Sequence, residues 1–402
     1  MKTNQTKSIT TIQEAIKNSK RIVVKLGSHV VISDDNTFAS KRLSSILDTC
    51  AKFVKEGKEI IIVSSGAVGL GKQSIATLKN KSQLKIEEKQ ACASAGQATL
   101  IESYQKIFQK NQLQTAQILL THNDFSDRLS YLNLHKTLET LLSLKVIPVI
   151  NENDTTSTQE LETQSQSKSF GDNDHLSALV AGKLDADLLI LLSTSDGIYD
   201  MDPHSNPNAK RIPIIEDFNI LNQIQTQGNS THGRGGMESK LSAIKVASMC
   251  GVTCIVTSGL DPKCFNDIFE IKTTSGTWII PQTKLGDRQK WIALSSGYKG
   301  VIQINPGAQK ALFENSASLL PIGIIKIKGE FKEKEIVSIQ NEDESELGRG
   351  IVYFSSEDIK KIMGKQSSSI NEILHSTKNK HQEVIHRDHL VLFKEGYYGK
   401  IA

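Results

Sequence analysis

The chain has 402 residues, of which 38% are hydrophobic, so it can bury a sizeable core and its length favours two or three domains over one. Its formal net charge of +4 is small for this length and argues against a protein that coats nucleic acid or lies on a membrane surface. The five cysteines include no Cys-x-x-Cys pair, which argues against both a disulfide scaffold and a zinc site.

Residues 1–18 form a predicted polar N-terminal tail. Its first eleven residues lack the apolar segment of a secretion signal, and no stretch of the chain approaches the length of a membrane span. We therefore expect a cytoplasmic protein with no membrane contact.

Short apolar runs rich in β-formers alternate with helical patterns from Arg21 to about Val256, which predicts a mostly parallel sheet with helices on both faces. Between the first two runs, apolar residues recur at helical spacing from Leu43 to Val54, and this predicts an amphipathic helix in a βαβ unit. The predicted strands are Arg21–Leu26, Glu59–Val63, Gln114–Leu120, Val146–Ile150, Leu188–Leu192 and Thr253–Val256. Because successive parallel strands end at the same edge of a sheet, the loops that follow them should converge.

The first two of these loops have features of an anion site. Lys25 lies at the C-terminal end of the first strand, close to a Gly27–Ser28 turn, so its side chain can reach a phosphate. The second turn, Ser64–Gly71, consists mainly of small residues that let backbone amides approach an anionic ligand. Gly66–Lys72 matches the spacing of a Walker A loop, but Gln73 replaces the hydroxyl residue that would hold magnesium, so we reject that interpretation.

Two tetrapeptides rich in asparagine and aspartate, Asn151–Asp154 and Gly171–Asp174, follow the fourth predicted strand. Asn and Asp at this density disfavour helix and strand interiors, so the segments should be loops that bind a polar ligand. The Gln-, Ser- and Thr-rich segment between them, Thr155 to Ser169, is predicted to be a mobile surface loop that can act as a lid.

Gly233–Lys240 opens a helical pattern, and glycines before a helix offer free N–H donors and the helix dipole to a phosphate. Lys240 and Lys25 are therefore predicted to converge on one phosphoryl group from different loops. The hydroxyl-rich turn at Ser193–Thr194 follows another apolar strand, where a nucleotide can lie. No two histidines show a clear metal-ligand spacing, so no metal site is predicted.

Near Gly286 to Trp291 the pattern changes to short β-type runs, such as Ile322 to Lys328 and Glu335 to Gln340, in a smaller domain with nearly balanced charge. We predict an α/β domain over residues 19–278, a linker over 279–288, the β-rich domain over 289–380 and a C-terminal segment over 381–402 that packs on or follows it.

Taken together, these motifs resemble the amino acid kinase family and, within it, the glutamate 5-kinases. The matching segments, in the family's order, are Val24–Gly27, Ser65–Ala67, Pro148–Asp154, Gly171–Asp174, Asp202–Pro203 and Gly235–Met237. Beyond them, Arg288–Ile292 and the β-rich segment that follows resemble a PUA domain. The resemblance implies a three-layer αβα sandwich of the amino acid kinase fold with a C-terminal PUA domain.

The resemblance also implies a role for each matching residue. Lys25 and Lys240 would stabilise the transferring phosphoryl group, while Asp174 would hold both lysines in position. The residues expected to bind glutamate are Ser65, Gly66, Asn151, Asp154 and Asn173. The residues expected to bind the nucleotide are Lys25, Ser193, Thr194, Arg234, Gly235, Gly236, Met237 and Lys240.

The implied enzyme is a phosphotransferase that uses ATP and Mg²⁺ to phosphorylate the side-chain carboxylate of L-glutamate, in the first step of proline biosynthesis. Its implied partners are further copies of the chain in a dimer or tetramer, L-proline as a feedback inhibitor, a downstream reductase that takes the acyl phosphate, and RNA at the PUA domain. Two alternatives remain open. One is a kinase of the same superfamily that acts on aspartate, acetylglutamate, carbamate or a nucleotide, and the other is an RNA-binding protein.

Overall fold

The computed structural model describes the chain in segments. These are residues 10, 12–121, 124–125, 127–156, 173–203, 205–218, 220, 224, 237–270, 275–281, 285–295, 298–374 and 381–393. The chain forms two compact units, Met1–Lys284 and Leu285–Ala402. Among the helices in these segments, none is long and apolar enough to cross a membrane.

The first unit contains an eight-stranded sheet. Its strands are β1 (Arg21–Leu26), β2 (Glu59–Val63), β3 (Gln114–Leu120), β4 (Val146–Glu152), β5 (Leu188–Ser193), β6 (Ile214–Ile215), β7 (Thr253–Ser258) and β8 (Thr277–Ile279). They lie in the order β3-β4-β2-β1-β5-β7-β8-β6. Neighbouring strands are parallel except for β7 and β8. The prediction of a mostly parallel sheet is confirmed, and every predicted strand is present.

The helices of the first unit connect these strands. They are α1 (Ser28–Val31), α2 (Ser40–Lys55), α3 (Ala67–Ser74), α4 (Ile86–Lys110), α5 (Arg128–Ser143), α6 (Asn173–Lys183), α7 (Met237–Met249) and α8 (Pro262–Phe269). The predicted amphipathic helix is α2, whose apolar positions are buried. Residues 12–18 are also helical, and Ile12 and Ile16 are buried in the core. The sequence predicted a polar tail over residues 1–18 and missed this helix.

Side chains of β1 alternate between the two faces of the sheet. Ile22, Val24 and Leu26 join one hydrophobic cluster with residues of α2 and α4. Because successive side chains of a strand point to opposite faces, Val23 and Lys25 lie on the other face. Lys25 forms an ion pair with the first turn of α6, which covers that face.

Helices α3 and α4 approach each other closely at glycines. A Cβ atom on Gly96 would lie 1.9 Å from the carbonyl oxygen of Ala67, and a Cβ on Gly71 would lie 1.7 Å from that of Cys92. Only glycine fits such a backbone contact. The contact fixes the start of α3, directly after Ser65 and Gly66, against α4.

The second unit is built on a five-stranded sheet. Its strands are β9 (Gly300–Ile304), β10 (Ile324–Gly329), β11 (Ile336–Gln340), β12 (Glu346–Ile351) and β13 (Leu390–Leu392), in the order β10-β9-β11-β12-β13. Its helices are α9 (Asp287–Ala293), α10 (Pro306–Asn315), α11 (Ser356–Ile362) and α12 (Ile370–Ile373). Ile302, Val337 and Ile339 lie in its own hydrophobic cluster. The predicted β-rich character of this part of the chain is confirmed.

Candidate active site

Four parallel strands end at one edge of the large sheet and carry the predicted site residues. Lys25 is the penultimate residue of β1, and Ser193 is the last residue of β5. Ser65 comes two residues after β2, and Asn151 lies near the end of β4. Since β1, β2, β4 and β5 are neighbours with the same direction, these polar side chains lie at the same edge.

Asp174 forms the centre of a buried charged cluster at the start of α6. Its carboxylate is fully buried. Lys25 Nζ lies 2.5 Å from Asp174 Oδ1, and Lys240 Nζ lies 3.2 Å from Asp174 Oδ2. One carboxylate thus faces two ammonium groups. Such a cluster suits an anionic ligand, because a cation held in place at a water-poor site stabilises negative charge strongly.

An amide cluster begins at the neighbouring residue, Asn173. Asn173 Nδ2 donates hydrogen bonds to Ser65 Oγ at 2.9 Å and to Asn151 Oδ1 at 3.2 Å. Asn151 Oδ1 also accepts from the backbone N–H of Glu152 at 2.9 Å. Asn173 Oδ1 is buried and accepts no hydrogen bond from the residues the structure describes. Asp154, close along the chain from Asn151, is also buried. The cluster therefore presents oxygen acceptors that suit an ammonium group.

Gly66 shapes the turn between β2 and α3. Its φ of +103° lies in the left-handed region, where a residue with a side chain is strained. A Cβ atom there would also lie 3.1 Å from Cγ1 of Ile32. A glycine at position 66 is therefore a requirement of this turn, which brings Ser65 to Asn173.

The residues predicted to bind the nucleotide are described only in part. Ser193 Oγ accepts from the N–H of Ser195 at 3.1 Å, which closes the turn after β5, and Thr194 in that turn is exposed. Met237 is the first residue of α7, and Lys240 lies one turn into the helix. Arg234, Gly235 and Gly236 lie outside the described residues, as do Gly171, Asp172 and residues 157–169 of the predicted lid.

Two polar residues at this edge are absent from the sequence-based site. Ser64 and Tyr104 are fully buried, and their hydroxyl oxygens lie 2.9 Å apart. Ser64 begins the predicted anion-binding turn Ser64–Gly71, but the sequence gave its side chain no role of its own. Tyr104 gave no signal, because an aromatic residue on the apolar face of a helix usually indicates core packing.

The described residues contain no group of three or more His, Cys, Asp or Glu side chains that could hold a metal ion. Mg²⁺ in enzymes that use ATP is usually coordinated through substrate phosphates with only one or two protein carboxylates.

Comparison with known proteins identifies the class. The amino acid kinase family model matches residues 20–258, and the PUA domain model matches residues 300–374. The chain belongs to the amino acid kinase family and carries a C-terminal PUA domain. The fold class expected from the sequence is thereby confirmed.

Individual relatives narrow the class further. The chain is 37% identical over 377 residues to the glutamate 5-kinase of Thermoanaerobacter sp. (strain X514). It is 39% identical over 381 residues to that of Maridesulfovibrio salexigens and 35% identical over 382 residues to that of Chromohalobacter salexigens. Each comparison covers 94% of this chain and 98% of the relative. Within the amino acid kinase family, the chain is a member of the glutamate 5-kinases.

Proposed function

We propose that the chain transfers the γ-phosphoryl group of MgATP to the side-chain carboxylate of L-glutamate, giving L-glutamyl 5-phosphate and ADP. This reaction is the first step of proline biosynthesis from glutamate. Membership of the glutamate 5-kinases supports the choice of substrate. The chemistry is supported by the residues at the carboxyl edge of the sheet.

One observation carries the proposal. Asn173 and Asp174 are adjacent, yet they serve two different clusters: Asn173 contacts Ser65 and Asn151, whereas Asp174 pairs with the lysines. The first turn of α6 thus joins a site for an amino acid to a site for a phosphoryl group. A reaction between the two ligands requires this proximity, because positioning supplies much of the rate in phosphoryl transfer.

The nucleophile needs no general base. A glutamate side chain has a reference pKa of about 4.3, so its carboxylate is ionised at neutral pH. One carboxylate oxygen attacks the γ-phosphorus, and the bond from that phosphorus to the β–γ bridging oxygen breaks as ADP leaves. Lys25 and Lys240 neutralise charge on the transferring group, and Asp174 holds both ammonium groups in place. Asp154 and Asn173 would bind the ammonium group of glutamate, with Ser65, Gly66 and Asn151 completing the pocket.

The nucleotide is proposed to lie between the turn after β5 and the start of α7. Ser193 and Thr194 supply one wall, and Met237 and Lys240 supply the other together with Arg234, Gly235 and Gly236. The free N–H groups at the start of a helix of this length favour phosphate oxygens.

Further predictions concern the partners and the location of the protein. An acyl phosphate is reactive in water, so we expect a reductase to consume the product. Assembly into a dimer or tetramer, inhibition by L-proline, RNA as a ligand of the PUA domain and a cytoplasmic location stay predictions.

The acceptor specificity tests the proposal directly. Release of ADP from MgATP by the full chain would be measured with L-glutamate, L-aspartate, N-acetylglutamate, carbamate or no acceptor. We expect turnover that depends on L-glutamate. Turnover with another acceptor alone would transfer the assignment to a different kinase of the superfamily, and no turnover with any acceptor would refute the kinase assignment.

A further inference from the structure

A buried hydrogen bond lies directly behind the candidate glutamate site. It joins the hydroxyl groups of Tyr104 on α4 and Ser64, the first residue after β2, at 2.9 Å. Ser64 continues the alternation of β2, so its side chain points to the face that carries α4, whereas Ser65 points to the face that carries Asn173. The rings of Tyr104 and Phe38 also form a T-shaped pair, with centroids 5.5 Å apart.

The direction of these hydrogen bonds follows from counting protons. The Ser64 hydroxyl has a single proton, and it donates to the carbonyl oxygen of Ser65 at 3.1 Å. The one arrangement that uses both hydroxyl protons in these two contacts has Tyr104 donating to Ser64 Oγ. Burial raises the pKa of Tyr104, so its hydroxyl stays protonated at neutral pH. The result is a directed series of hydrogen bonds from Tyr104 through Ser64 to the Ser65 carbonyl.

This series fixes a peptide group of the site. The C=O and N–H of a trans peptide point in opposite directions within one plane. When the Ser65 carbonyl is held towards Ser64, the N–H of Gly66 points the other way, towards the face that carries Asn173. Within the described residues, Gly66 N–H donates no hydrogen bond. The peptide therefore directs an N–H donor into the region where the predicted glutamate residues meet.

We propose that Tyr104 is a positioning residue that acts through Ser64 to aim the Gly66 N–H at the side-chain carboxylate of bound glutamate. This inference rests on the proposed function. A donor at one carboxylate oxygen orients the group and leaves its other oxygen to attack phosphorus. Tyr104 contacts no substrate itself, and its effect is carried by the Ser65–Gly66 peptide.

Tyr104→Phe tests the inference by removing a single hydroxyl group. Loss of one net hydrogen bond corresponds to about a fivefold change in an equilibrium or rate. We expect kcat/KM for glutamate to fall by about five- to tenfold, while KM for MgATP stays within twofold of the wild type. Tyr131→Phe is the matched control. Tyr131 lies on α5, and its hydroxyl donates to the backbone carbonyl of Lys183 at 3.1 Å, at the opposite end of α6 from Asn173 and Asp174. The control should leave both kinetic constants unchanged.

Ser64→Ala supplies a second, independent variant. It breaks the same series, so it should reduce kcat/KM for glutamate by a similar factor. The double variant with Tyr104→Phe should lose little more than either single variant, because residues that act in one series are not additive.

The outcomes separate cleanly. If the wild type is active and Tyr104→Phe has unchanged kinetic constants for glutamate, this inference alone is overturned. The same holds if Tyr104→Phe weakens the kinetic constants for glutamate and for MgATP equally, because that result indicates a general structural role. A wild type without glutamate-dependent turnover would overturn the proposed function and this inference together.

Discussion

Asp174→Asn perturbs the buried charged cluster with almost no change in side-chain volume. In the wild type, its two carboxylate oxygens lie 2.5 Å from Lys25 Nζ and 3.2 Å from Lys240 Nζ. The side chains of Lys25 and Lys240 are only 4% and 12% exposed, so water solvates their ammonium groups poorly and cannot compensate for the lost carboxylate charge. The variant removes the negative charge that both ammonium groups contact, and it directs an amide donor at one of them.

The expected cost follows from this burial. Removing one partner of a buried ion pair costs about 3–5 kcal/mol. If about 3 kcal/mol of this cost reflects lost lysine positioning in the transition state, kcat falls by roughly 100-fold or more. The same loss of free energy in the folded state lowers the melting temperature by about 6 °C or more for a unit of this size. MgATP should restore part of this stability, because its phosphates supply the missing negative charge.

The assay combines steady-state kinetics with thermal unfolding, and Glu59→Gln is the matched control. Glu59 also pairs with two cations, Lys20 at 3.2 Å and Arg21 at 2.8 Å, but it lies at the first residue of β2 and therefore at the opposite edge of the sheet. The control should lower the melting temperature and keep kcat within about threefold of the wild type. The reasoning is refuted if Asp174→Asn retains more than a tenth of the wild-type kcat, or if the control loses as much activity.

Three further predictions concern separate parts of the first unit. Asp154→Ala should raise KM for glutamate by roughly 10- to 100-fold, the value of a hydrogen bond to a charged group, with KM for MgATP unchanged; an effect on MgATP alone would show that the subsite is wrong. Burial lowers the pKa of Lys183 from 10.5 to about 8. Between pH 8 and pH 10.5, Lys183 is protonated in the unfolded chain and neutral in the folded chain. The free energy of unfolding of the wild type should therefore rise across this range. Lys183→Met should abolish this rise and be more stable at pH 7 by on the order of 3 kcal/mol, and an unchanged pH profile would contradict this. Gly96→Ala must separate α3 from α4, because the new Cβ would lie 1.9 Å from the carbonyl of Ala67. It should lower both the melting temperature and the glutamate affinity. Gly57→Ala is the control: its positive φ makes the alanine strained, but no atom lies within 4 Å of the new Cβ, so it should lower the melting temperature and leave the glutamate affinity unchanged.

The sheet was predictable because its strands are short apolar runs bounded by turn residues. β1, β2 and β3 begin and end where the sequence predicted them, and β4 and β7 each extend two residues further. The antiparallel placement of β8 was not predictable, since three residues after a turn carry no signal of direction. The helix at residues 12–18 was missed for a similar reason, because Ile12 and Ile16 are too few to establish a helical period in a polar stretch.

Much of the candidate site was also predictable, because parallel strands must present their following loops at one edge. That geometry is why the sequence alone assigns Lys25, Asn151 and Ser193 to one site. The rejection of a Walker A loop at Gly66–Lys72 agrees with the structure, in which residues from Ala67 onward form α3 and not a phosphate loop. By contrast, the link from Tyr104 to the Ser65 carbonyl depends on how α4 packs across β2. Packing between elements distant in sequence leaves no pattern in a single chain.

The most direct test of the account is the chemical identity of the product. The full chain would be incubated with MgATP, L-glutamate and hydroxylamine, which converts an acyl phosphate to a hydroxamate, and the product would be identified by mass spectrometry and compared with authentic standards. The account predicts γ-glutamyl hydroxamate in proportion to the ADP released, and only when L-glutamate is present. Release of ADP without hydroxamate, or a hydroxamate at the α-carboxylate, would contradict transfer to the side-chain carboxylate.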